Sequence, residues 1–163
     1  MTRQQKGFSL IELLLVVVII MVIAAVAIPN LLRSRMNANE ASAIASMRTI
    51  VTSEIVYSTT YTVGFSGSLA SLSDGGTPTN CIPPSLPAIA SACLIDSGLA
   101  SGSKSGYRFT YATVGGGAVN ADYTLNGDPI SPGSTGQRHF YTDGTHVLRV
   151  NMSAVASSSD PPL

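Results

Sequence analysis

Residues with the makings of chemistry are few in this sequence, and most stand in weak patterns. Ser101-Gly102-Ser103-Lys104 fits SxxK, the spacing in which a lysine activates a nucleophilic serine. No KTG or SDN element accompanies it, and in so Ser- and Gly-rich a stretch the tetrapeptide arises readily by chance. His139 and His146 flank Asp143-Gly144, a placement that suits surface neighbours on a hairpin better than metal ligands. Asp122, Asp128 and Asp143 offer carboxylates to a cation, but their spacing matches no calcium loop, and solvated loop aspartates are the better reading. Asn151-Met152-Ser153 has the form of a glycosylation sequon. GxSxG, P-loop and HExxH motifs are absent. The expectation is a protein that is not an enzyme, with no catalytic residues, no cofactor and no metal.

Two cysteines, Cys81 and Cys93, enclose a short stretch containing Pro83, Pro84 and Pro87. No CxxC spacing suggests redox or metal chemistry, so a disulfide is expected, with two unrelated buried thiols as the alternative. In an oxidising compartment such a loop is worth about 3 kcal/mol in the chain-entropy model.

Glu12 is the residue out of place. It lies inside Phe8–Ile28, an otherwise uncharged aliphatic run. As a helix this run would extend about 31 Å, matching a hydrocarbon core of ~30 Å. A carboxylate deep in a bilayer costs on the order of 3 kcal/mol on insertion scales. A bland account exists: Ser9-Leu10-Ile11-Glu12 has capping-box spacing, and an acid in the first turn gains about 0.3–1 kcal/mol from the helix dipole.

Three readings compete for residues 1–30. Ala25-Val26-Ala27 resembles the cleavage site of a secretory signal peptide, but the apolar run is too long for one and the glutamate is unexpected there. A plain membrane anchor satisfies the length and leaves Glu12 unexplained. Arg3 and Lys6 before the run favour a cytoplasmic N-terminus, although Arg33 and Arg35 come after it.

The third reading rests on Lys6-Gly7-Phe8-Ser9-Leu10-Ile11-Glu12. This stretch resembles the class III signal sequence of type IV pilins and the related type II secretion pseudopilins: a short basic leader, a glycine, a phenylalanine, then a glutamate ahead of a long aliphatic helix. Pro29 stands where these proteins usually have a proline, whereas Met21 replaces a glycine that many of them carry. The resemblance implies that a prepilin peptidase cuts between Gly7 and Phe8 and N-methylates the new Phe8 amine. It also implies a filament in which that amine of one copy lies against Glu12 of another. Each charge alone in an apolar bundle is costly and paired they relieve one another, so the pair sets register more than it adds stability.

Beyond Pro29, where the missing amide hydrogen is expected to kink the helix, the pattern becomes amphipathic. Leu32, Met36, Ile44, Met47, Val51 and Ile55 recur at spacings compatible with one core face, with Arg33, Asn37, Glu40, Arg48 and Ser53 mainly on others. The helix should end near residues 57–61. Glycines and prolines punctuate residues 62–106, with short helical turns expected around Ser68–Ser73 and Leu86–Ala92. Period-two patterning then predicts strands at "YRFTYATV", "VNADYTLN", "RHFYT" and "HVLRVN", with a Gly115–Gly117 turn and an Asp143-Gly144 hairpin.

The expected fold is α+β and pilin-like: a long N-terminal helix, membrane-spanning then amphipathic, packed on a four-stranded antiparallel sheet. The expected organisation is a leader over 1–7, an assembly helix over 8–29 and its amphipathic continuation over 30–60. A connecting loop over 61–106, a sheet over 107–151 and a loose tail over 152–163 complete it. With 9 basic and 9 acidic residues and 11% charged overall, no nucleic acid is expected as partner. The resemblance implies a major pilin, with a secretion pseudopilin as alternative. A membrane-anchored periplasmic binding domain is a second alternative. Its partners would be copies of itself, the prepilin peptidase, an inner-membrane assembly platform and the membrane. It would sit in the inner membrane as a single-pass chain, then in an extracellular pilus or periplasmic filament.

Overall fold

The computed structural model describes residues 8–83, 85–115 and 120–163. The expected leader, Gly7 included, and most of the Gly115–Gly117 turn lie outside the described residues. Helix α1 covers Leu10–Tyr61, and the chain divides into two compact units, Met1–Arg35 and Met36–Leu163.

In the first unit α1 is apolar on every side and its large side chains are all exposed. In the second unit the same helix has one buried face, formed by Glu40, Ala43, Met47, Ile50, Glu54 and Tyr57 at helical three-and-four spacing. This corrects the expected stripe. Met47 belongs to it, but Leu32 and Ile55 are exposed, and Glu40 and Ser53 lie on the buried side.

After α1 come α2 (Leu69–Leu72), a 3-10 turn (Pro78–Cys81) and α3 (Ser97–Ala100). Ser68 caps α2 by accepting from the Ser71 amide, and Asp96 caps α3 by accepting from the Leu99 amide. The expected helical turn at Leu86–Ala92 is not formed. Ala88 and Ser91 instead close a tight turn, and the chain runs on beside α2, with Ala92, Cys93, Leu94 and Ile95 amides donating to Ser71, Ser73 and Leu72 carbonyls.

Among the described residues the sheet is antiparallel with five strands, not four, in the order β1 (Ser103–Lys104), β2 (Tyr107–Val114), β3 (Asp122–Pro129), β4 (His139–Asp143) and β5 (Arg149–Asn151). The extra strand exists because Ser105 and Gly106 both take left-handed φ, 50° and 75°. That is the two-residue hairpin geometry that pairs Lys104 with Tyr107. β3 begins three residues later than the pattern suggested. The β4–β5 connection is also wider than an Asp-Gly turn, because Asp122 Oδ1 accepts from the Gly144 amide and Asp143 Oδ1 from the Thr145 amide. Alternation puts Tyr107, Phe109, Tyr123, Leu125 and Phe140 on the inner face, where they close a core with the buried face of α1. The tail is not loose: Ala156 is buried and Leu163 bonds back to Leu148.

Candidate functional site

The described residues of the first unit begin with Phe8, which is exposed, and α1 starts two residues later. Ser9 starts the helix through its backbone, its carbonyl accepting from the Glu12 and Leu13 amides at 3.1 and 3.2 Å. No hydrogen bond joins the Ser9 hydroxyl to Glu12, so the capping box that would explain an acid here is not made among the described residues. Glu12 is exposed and has no cationic partner among the described residues.

From Glu12 to Leu32 the large side chains of the helix are all exposed. Its most apolar 18-residue window has mean hydropathy 3.3, and 0% of that window is buried. A helix apolar all round is stable only when lipid or other apolar helices surround it. Pro29 lies inside α1, which continues through it as helix. It has no amide hydrogen for the Ala25 carbonyl, so the helix is locally a hydrogen bond short.

These features are an uncovered apolar helix with one charge near its start. Residues 2–28 match the family described as the prokaryotic N-terminal methylation motif. The type IV wide pilus major component PilA4 of Thermus thermophilus is 47% identical over 55 residues, 34% of this chain and 42% of that protein. Over its N-terminal third the chain is similar to a type IV pilin. It spans less than half the length of that curated relative in the matched region, and no solved structure matches it.

In the second unit the residues with the makings of chemistry are held by separate partners. Ser101 donates to the Gly98 carbonyl, and Lys104 pairs with Asp96 at 3.1 Å, so the SxxK residues face other partners. The two histidines are not brought to a common site. His139 Nδ1 lies 2.6 Å from Asp128 Oδ1, and His146 packs edge-on to Phe65. Asp122 holds the Gly144 and Tyr123 amides, and Asp143 holds Thr145 and Tyr141. Asn151 uses its side-chain oxygen for the Ser153 and Ala154 amides and its nitrogen for Asp160, so the sequon asparagine is a turn residue.

Cys81 and Cys93 form a disulfide with Cα atoms 5.6 Å apart. It ties the 3-10 turn to the segment running beside α2.

Two buried carboxylates on α1 were missed by the sequence reading. Glu40 accepts from the Gln137 amide at 2.8 Å, the Arg138 amide at 3.3 Å and Arg138 Nε at 2.6 Å. Burial pushes its pKa up, but the Gln137 amide and the Arg138 guanidinium and amide outweigh this and hold it below the usual carboxylate range. Glu54, fully buried, accepts from the Ser66 amide at 2.9 Å and its hydroxyl at 2.5 Å, while Tyr111 donates to the Ser66 carbonyl. Each carboxylate pins a loop to α1. Hydropathy gives no signal for them.

Proposed function

We propose that this chain is the major subunit of a type IV pilus, cut between Gly7 and Phe8, N-methylated on the Phe8 amine and polymerised through Phe8–Ile28. The observation that carries the reading is the uncovered apolar helix with a single unpartnered carboxylate near its start, in a chain bearing the N-terminal methylation motif. Before assembly the lipid of the inner membrane covers that helix, with the N-terminus cytoplasmic. After assembly, other copies cover it.

Glu12 is then the partner of the Phe8 amine on a neighbouring copy. A subunit in the wrong axial position leaves both charges unpaired in an apolar bundle, at a cost of several kcal/mol per ion. Glycine at position 7 suits the cut, since it leaves the backbone open to extended conformations. The partners in this scheme are further copies of the chain, a prepilin peptidase and an inner-membrane assembly platform. The second unit forms the filament surface.

Mass spectrometry of fibres sheared from the cell surface, set against the membrane fraction, tests this. The expected result is a fibre built mainly of this chain, beginning at N-methylated Phe8. A processed chain that stays in the envelope would assign it to a secretion pseudopilus or a minor subunit. One still carrying Met1–Gly7, or cut after Ala27, would overturn the assembly reading.

A further inference from the structure

After β5 the chain crosses the outer face of the sheet and returns along its edge. Ala156 is buried there, and its carbonyl accepts from Asn126 Nδ2 on β3 at 2.8 Å. A turn centred on Asp160 reverses the chain: its carboxylate takes the Ser157 amide at 2.7 Å and Asn151 Nδ2 at 2.9 Å, and its carbonyl takes Arg149 Nη1 at 2.8 Å. The last residues then run antiparallel to β5. The Val150 amide donates to the Pro161 carbonyl at 3.1 Å, the Leu163 amide to the Leu148 carbonyl at 2.8 Å, and Arg149 faces Pro162 between them.

This segment does to the β5 edge what an added strand would do. Pro161 and Leu163 turn their bonding groups inward, so Pro162 turns its backbone outward, and a proline nitrogen has no hydrogen to donate. Without the segment, the Val150 amide and Leu148 carbonyl would stand at an open sheet edge, which is a template for strand addition. An antiparallel edge is complementary to itself, so a second copy can pair its own β5 there by a two-fold operation.

We infer that residues 156–163 form a self-capping strap, occupying within one molecule the sheet edge on which a second copy of this chain would otherwise add its β5. The strap keeps heads from pairing edge to edge wherever many copies are crowded together. This stands on the geometry of the second unit and does not depend on the filament reading.

The test uses the full chain in detergent micelles, which cover the apolar helix, as wild type, as a chain ending at Ser159, and as Pro162→Thr. Light-scattering mass and exchange of the Val150 amide are followed against protein concentration. Wild type should keep its mass and protect Val150 at every concentration. The shortened chain should lose that protection when dilute and regain it as its mass rises, with a dimerisation constant raised by about tenfold, the worth of one or two net hydrogen bonds. Pro162→Thr keeps the strap but restores an outward donor, and should associate with Val150 protected throughout. A shortened chain of unchanged mass whose Val150 amide exchanges freely at all concentrations overturns the inference. Should shortening also expose the Leu125 amide, a sign that the sheet itself has opened, Pro162→Thr decides, and an unchanged mass there overturns it.

Discussion

On the buried face of α1, Glu40 and Glu54 lie in line with Ala43, Met47 and Ile50, and each carboxylate is held by a loop rather than by the helix. For Glu40 the linkage sign is clear. Its folded pKa is below its ordinary value, so its contribution is present above that value and is lost as pH falls through the range beneath it. Wild-type stability should therefore fall more steeply below about pH 4.5 than that of Glu40→Gln, measured by urea unfolding at several pH values. Glu40→Ala should cost about 2–4 kcal/mol at neutral pH, since it leaves the Gln137 and Arg138 amides without their acceptor; Arg138 is one-third exposed and water offsets part of the loss. Glu12 behaves oppositely, having no partner within the described part of one copy. Glu12→Gln should leave membrane insertion intact and abolish sheared fibres, measured by comparing the two fractions. Only Glu12 was legible in the sequence, because a charge inside an aliphatic run stands out. A glutamate on an amphipathic helix looks like its wet side, and the groups that hold Glu40 are nearly a hundred residues away along the chain.

At the scale of elements, alternation in β2 and the end of α1 were legible because each is a local, periodic property. What escaped the sequence was decided by partners elsewhere: β1, which depends on left-handed φ at Ser105 and Gly106, and the wide β4–β5 loop, which depends on Asp122. The connector is the least periodic region and is held by the Cys81–Cys93 bond and by backbone bonds to α2. Replacing both cysteines by serine should lower stability by about 3 kcal/mol and speed hydrogen exchange at the Ala92–Ile95 amides before the sheet is affected. Gly136 is a second sensitive point, because a Cβ there would come within 2.7 Å of the fully buried Tyr107 ring. Gly136→Ala should cost about 1–3 kcal/mol by displacing that ring, read as a lowered thermal midpoint with near-ultraviolet dichroism changed.

For the whole molecule, the two units obey different solvation rules. Among its described residues the first has no buried large side chain; the second, Met36–Leu163, has its own core, its own disulfide and an amphipathic helix face already filled by the sheet. Both halves of that contrast were visible in composition, because hydropathy averaged over a helix needs no tertiary partner to be read. If the core is as self-sufficient as its packing indicates, residues 36–163 made in an oxidising compartment should be soluble without detergent, monomeric and cooperative in thermal unfolding. The acid-induced loss of stability traced to Glu40 should persist in it, since both Glu40 and Arg138 are retained. The full chain should need detergent or lipid. A head that aggregates or melts without a transition would mean that the apolar segment contributes to folding as well as to anchoring. That would remove the physical basis for treating α1 as an anchor joined to an independent head.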